Sequence, residues 1–239
     1  KRSEDILARA EDLVEAARGA NRPLTGRFRL GVIPTVAPFL LPKALLKLRK
    51  DFPDLRLFLR EDQTARLIAS LKSGALDAAV IALPYDLAGL DHAFICKDEI
   101  VAATPFGHRL SSGSHISPED LKNEELILLE DGHCLRDHAL AACSWTSPTG
   151  TSESLSTYAA NHGGGFAATS LNTLVQMVGS GLGVSLLPAM AVDSGMVKAD
   201  EVCVRPLASD HAFRDIVVIW RAGSSRAAEA RLLAEKLKE

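Results

Sequence analysis

From Arg27 onward, short apolar runs of strand type alternate with segments of helical period, and this alternation confines the chain to layered α/β architectures. Residues 27–36 predict a strand, 42–51 a helix, 55–60 a strand, 65–76 a helix and 78–83 a strand, one compact unit around a largely parallel sheet. A crossing segment through 99–104 leads into a second unit. Its elements are a strand at 126–129, a helical segment holding two cysteines, a strand near Phe166, a helix at 171–179 and a strand at 184–187. The chain then returns through 216–220 and ends in a helix at 226–238, so two crossings separate the units.

The 239 residues, 47% hydrophobic, can bury one large core or two smaller ones. A net charge of -3 is too small for a nucleic-acid surface, so this polypeptide alone should bind DNA poorly. No apolar run approaches the roughly 18 residues a membrane span needs, so no membrane partner is expected. Ahead of the first strand, Ile6, Ala10, Leu13 and Ala17 recur at spacings of four, three and four, as along a coiled-coil seam, before Gly19, Asn21 and Pro23 stop the helix. The alternative is an ordinary amphipathic surface helix. With no initiator methionine and no signal-like apolar block, the chain reads as a fragment of a longer protein.

The segment Gly132 to Cys143 places Cys134 and Cys143 nine positions apart. In an ideal helix their sulfurs would lie on opposite faces and roughly 13 Å apart, whereas a disulfide needs Cα atoms about 4.4 to 6.8 Å apart. Bonding would therefore unwind the segment and repack Leu135, Leu140 and Ala141, which is the behaviour of a switch. Asp131 is the expected N-cap, so Cys134 falls in the first turn, where the helix dipole and unbonded amides favour an anion. His133 and Arg136 add positive potential, and such surroundings raise the thiolate fraction. Cys143 sits at the opposite end, where the dipole opposes a thiolate. The asymmetry points to an attacking thiol, Cys134, oxidised to a sulfenic acid and captured by Cys143.

Two other readings stand beside this one. Both cysteines can be small buried hydrophobes. Cys134 and His138, four apart on one helical face, together with His133 and Cys143, could also hold zinc or copper. No C-x-x-C knuckle exists, however, and ligands on opposite faces cannot converge without the same unwinding, so no metal is expected. Four cysteines in a chain this long fit a reducing cytoplasm, where a bond would be transient.

The run Glu130-Asp131-Gly132-His133-Cys134-Leu135-Arg136-Asp137, with Cys143 following, resembles the redox loop of the peroxide-sensing LysR-type transcriptional regulators. Residues 31–42 are similar to the first strand and turn of that family's regulatory domain. Glu61-Asp62-Gln63-Thr64 resembles the end of its second strand, and Ala168-Thr169-Ser170-Leu171 and residues 181–188 match its later half. The likeness runs from about residue 26 to the end. The G-x-G-x-x-x-L-P run marks LysR-type domains in general, while the cysteine segment marks the peroxide sensors.

The resemblance implies a periplasmic-binding-protein-like fold of two Rossmann-like subdomains with a cleft between them. Subdomain I would comprise 24–97 and 216–239, and subdomain II would comprise 98–215. Residues 1–23 would end a linker helix, with the winged helix-turn-helix domain absent from this sequence. It also implies that Thr35 and Thr64 line the peroxide site, and that Arg214 lies near the reactive thiol. Read as isolated residues, the threonines would be caps or turn formers and Arg214 an exposed strand residue. The implied partners are hydrogen peroxide, operator DNA through the absent N-terminal domain, further copies in a homodimer or homotetramer, and a thiol reductant that resets the bond. No cofactor is implied, and the protein would be a cytoplasmic sensor rather than an enzyme. The alternative within the family is a domain that senses a small organic effector in the cleft. A thiol peroxidase or reductase is the enzymatic alternative.

The sequence departs from the family between 144 and 167, a Ser-, Thr- and Gly-rich stretch about a dozen residues longer than the pattern leads one to expect and read as a mobile loop. Its His162-Gly163-Gly164-Gly165 has the form of an esterase oxyanion loop, but the chain holds no G-x-S-x-G nucleophile elbow. A P-loop and G-x-G-x-x-G are missing too. Cys96 and Cys203, in apolar strand-like surroundings, are expected to be inert.

Overall fold

The computed structural model describes residues 24–143 and 167–238. The coiled-coil seam at residues 6–17, the helix stop, Phe166 and the long Ser/Thr/Gly stretch lie outside these residues. Contacts divide the chain into two compact units, Lys1–Lys97 with Asp215–Glu239, and Asp98–Arg214.

The first unit is built on β1 (Gly26–Val32), α1 (Ala37–Asp51), β2 (Leu55–Glu61), α2 (Thr64–Lys72) and β3 (Ala78–Leu83). β1 lies between β2 and β3 and is parallel to both. β9 (Phe213–Arg221) joins β3 in antiparallel register, Ile81 opposite Val217, and α7 (Ala227–Lys238) follows. β3 is wholly apolar and reads as a buried strand, and its bounds match the expected ones. Helix α1 starts five residues before the expected one, because Val36 and Ala37 both donate to the Ile33 carbonyl and turn the chain at once. Pro42 therefore sits inside the helix rather than at its start, on an exposed face where the carbonyl that lacks its N–H partner is open to solvent. Helix α2 ends four residues early, at a turn where Gly74 takes a positive φ of 78°. Gly31 brings α2 onto β1: a Cβ there would lie 2.6 Å from Leu67 Cδ2.

The second unit contains the far half of β4 (Leu90–Pro105), a 3-10 turn (Arg109–Ser112), α3 (Pro118–Leu121), β5 (Leu128–Leu129), α4 (Cys134–Ala142), β6 (Ala167–Ala168), α5 (Leu171–Gly179), β7 (Ser185–Pro188), α6 (Ala189–Asp193) and β8 (Val202–Pro206). Both β7 and β8 pair antiparallel with β4, and among the described residues the two-residue β5 and β6 pair parallel, beside isolated parallel bridges Ile116–Leu207 and Leu126–Val184. The largely parallel sheet expected from the alternation thus holds for β1, β2 and β3, while the long strand of the second unit has antiparallel neighbours. In this unit β4 runs as one long strand that the chain revisits in reverse, so no crossover helix is required between its neighbours. β8, α3 and α6 were not anticipated, being too short to show a period.

The Gly181-Leu182-Gly183 turn has a steric explanation. Val184 N–H donates to the Glu125 carbonyl at 2.8 Å, which brings the chain so close that a Cβ on Gly183 would lie 2.3 Å from that oxygen. A backbone atom cannot swing aside as a side chain can. Gly183→Ala is expected to destabilise the protein by about 2 kcal/mol, the scale of an overpacked core. Urea denaturation of both forms checks this, and an unchanged midpoint would refute it. Among the described residues no helix is long and apolar enough to cross a membrane.

Candidate functional site

The cysteine segment folds as the short helix α4, with Cys134 as its first residue and Cys143 immediately after its last. The N-cap is His133, in extended conformation, and not Asp131 as expected. Gly132 takes a positive φ of 91° and carries the chain through a further turn, so the helix starts two residues later than an Asp131 cap would place it. Asp131 instead pairs with Arg136 Nε at 3.0 Å, while Arg136 Nη1 donates to the Leu129 carbonyl at 3.2 Å. The Arg136 charge therefore closes the turn in front of the helix and is partly balanced there. No side chain caps α4. Its first amides and the positive end of its dipole thus lie at Cys134, as the first-turn reading required.

Cys134 is 7% and Cys143 3% exposed, and none of the four cysteines forms a disulfide among the described residues. The surroundings of the two differ. Cys143 belongs to the apolar cluster of Leu126, Leu128, Leu140, Val184, Leu186 and Leu207. Burial, and second the nearby negative charge of Glu119, push its thiol up to about 12. Cys143 is thus a core residue in the reduced state, and leaving the core is a precondition for its acting as a nucleophile. His138, one turn along from Cys134, is buried too. Among the described residues no three His, Cys, Asp or Glu side chains gather as a metal site would require.

Arg214 differs from the exposed strand arginine of the simpler reading. Its side chain is 0% exposed and forms an ion pair with Asp98, 2% exposed, with Nη2 at 2.8 Å and Nε at 2.9 Å from Oδ2. Arg214 lies in the same unit as both cysteines and His133 and Arg136.

Thr35 and Thr64 belong to the other unit. Parallel register explains why they correspond: Val32 of β1 lies opposite Glu61 of β2, and each chain runs three residues on to its threonine. Both are buried. Thr64 is the first residue of α2, one position past the N-cap Gln63, so its hydroxyl caps nothing, and Oγ1 has no hydrogen-bond partner among the described residues. Burying such a hydroxyl with no partner would cost about 1 to 3 kcal/mol, so a water molecule or a polar ligand is expected to bond it.

The chain matches the LysR substrate binding domain over residues 21–239. It is 37% identical over 238 residues to a probable hydrogen peroxide-inducible genes activator of Streptomyces viridosporus, covering 100% of this chain and 73% of that protein. The HTH-type transcriptional regulator EstR of Acinetobacter baylyi is also 37% identical over 238 residues, covering 99% of this chain and 74% of that protein. In fold it is similar to the reduced regulatory domain of OxyR2 from Vibrio vulnificus, with a TM-score of 0.77, 36% identity, and coverage of 90% of this chain and 96% of that one.

Proposed function

The chain belongs to the LysR substrate-binding-domain family, and on that premise we propose that it is the regulatory domain of a hydrogen-peroxide-sensing transcriptional regulator, switched by a reversible bond between Cys134 and Cys143. Identity alone does not choose the signal, since it is equal for the peroxide-named relative and for EstR. The observation that carries the reading is the placement of the two thiols: one at the positive end of α4, the other in the apolar core at its far end.

The chemistry balances in two steps. The Cys134 thiolate attacks one oxygen of hydrogen peroxide, an S–O bond forms as the O–O bond breaks, and the thiol proton leaves with the departing oxygen as water. Cys143 then attacks the sulfenic sulfur, expelling a second water and leaving the disulfide. His133, beside Cys134, and Arg214 favour the thiolate, and the resemblance to the peroxide sensors assigns the hydroxyls of Thr35 and Thr64 to binding the oxidant. Reduction by a cytoplasmic thiol resets the pair. The altered α4 changes packing between subunits, in a dimer or tetramer, and so the contact of an N-terminal domain with operator DNA. The protein consumes one peroxide per switching event and is a sensor, not an enzyme.

Peptide mapping after treatment with one equivalent of peroxide tests the reading. A bond between Cys134 and Cys143, with Cys96 and Cys203 still reduced, is the expected result. A bond through either of the latter, or none, overturns it.

The threonines admit a sharper test. Thr64→Val removes an unbonded hydroxyl at constant volume, so thermal stability should hold or rise. Oxidation of Cys134 should slow about tenfold through loss of a group orienting the peroxide. Stopped-flow rates within twofold of the parent would reduce Thr64 to a structural residue.

A further inference from the structure

We propose that Asp98 is a positioning residue for the thiol chemistry, holding the Arg214 guanidinium in the one orientation from which it acts on Cys134. The inference rests on the reading of Cys134 as the reactive thiol and of Arg214 as a group acting on it.

The Asp98 carboxylate on β4 ties together Arg214 and Met190, all three residues of the second unit. Its Oδ2 accepts both Nε and Nη2 of Arg214 from β9, and its Oδ1 accepts the Met190 N–H, in the first turn of α6, at 3.0 Å. The guanidinium is engaged along its Nε–Nη2 edge, and Nη2 also lies 3.9 Å from Met190 Sδ. Two residues along from each partner, the Ile100 N–H of β4 donates to the carbonyl of Ala212, just before β9, at 2.8 Å, a second tie beside the pair. A planar group held by two bonds to one oxygen, inside a buried pocket, has little freedom to reorient.

Asp98 affects the thiol in two opposing ways. Its negative charge offsets that of Arg214 and weakens the positive field available to a thiolate, while its geometry keeps the guanidinium in place. Burial raises the Asp98 pKa and Arg214 opposes that rise. A purely architectural ion pair would stabilise the fold without touching either the thiol titration or the peroxide rate at a given thiolate concentration.

Asp98→Asn removes the charge and sets an amide N–H against one of the three donors that the carboxylate accepted. Asp98→Glu keeps the charge but moves the oxygens by one methylene. For Asp98→Asn, Cys134 should titrate at lower pH in ultraviolet thiolate absorbance, while the stopped-flow rate constant per thiolate falls about tenfold, the scale expected of a displaced reacting geometry. For Asp98→Glu, the titration should match the parent and the rate constant should fall similarly. Should Asp98→Asn fail to fold by circular dichroism, because its buried Arg214 has lost its counter-charge, the Asp98→Glu rate alone decides. Folded variants reacting within twofold of the parent would overturn the inference. Cys134→Ser separates this failure from that of the functional reading. If Cys134→Ser still forms a peroxide-induced bond, the redox reading falls. If it is inert while the Asp98 variants react normally, only the positioning role falls.

Discussion

Oxidation by peroxide is expected to strip hydrogen-exchange protection from residues 134–143, with the slowest amides there speeding up by about a hundredfold or more, the loss of roughly 3 kcal/mol of local protection. Cys134 opens α4 and Cys143 follows its last residue. Nine steps at about 1.5 Å separate their Cα atoms by roughly 13 Å, twice the longest span a disulfide tolerates. The bond therefore cannot form on the intact helix. Its closure must break the helical bonds of the segment, including that from the Cys143 N–H to the Ala139 carbonyl, and must draw Cys143 out of its apolar cluster. Leu135 and Leu140, each almost fully buried, move with it. Exposing or relocating two leucines is the kind of surface change that alters self-association, so light scattering should register the oxidised form as a different assembly or mass distribution. Cys143→Ser isolates the cause: peroxide should still oxidise Cys134 there, while α4 keeps its protection. Equal exchange in reduced and mapped, disulfide-linked protein would leave the bond real but would remove its role as a switch.

The legible parts of the chain were those in which one physical signal dominated. β3 (Ala78–Leu83), a continuous apolar run, and α5 (Leu171–Gly179), with Ser170 accepting from Thr173 N–H as its cap, matched their expected bounds. Where two signals competed, the local one misled. Pro42 looks like a helix start, yet the chain had already turned at Ile33; Asp131 looks like a cap, yet Arg136 claims its carboxylate. Asp98 could not have been found at all. It is a single acidic residue in a long alternating strand, and its partners Met190 and Arg214 lie 92 and 116 positions away. The burial of Arg214 follows from the same long-range pairing. The helix between the two cysteines was legible because spacing along one helix survives in sequence; that the buried Thr64 hydroxyl has no hydrogen-bond partner among the described residues could be seen only in the fold.

Between about pH 9 and pH 12, the reduced protein should lose up to about 4 kcal/mol of stability that a Cys143→Ala variant does not lose. Burial, with the charge of Glu119 behind it, raises the Cys143 thiol from 9.0 to about 12. Below the unfolded value both states hold the proton, and the thiol makes no pH-dependent contribution. Above it the unfolded chain releases a proton that the folded chain retains, so stability falls by about 1.4 kcal/mol per pH unit until the folded thiol also titrates. Three units between the two values set the total. Lysines and tyrosines titrate in the same window, so the measure is the difference between parent and variant, by urea denaturation under reducing conditions. Cys143→Ala should begin roughly 1 kcal/mol less stable near pH 8 because of the methyl-sized void it leaves, and the two curves should converge and cross as pH rises. Parallel curves would mean that the thiol is not held in the core as described. The same proton governs the switch. On the proposed function, a thiol held this far up by burial is almost wholly protonated near neutral pH, so capture of a sulfenic acid on Cys134 is expected to wait for α4 to open. Melting of the helix is then expected to come before the bond, and the rate of that opening to set how quickly an oxidised Cys134 is resolved.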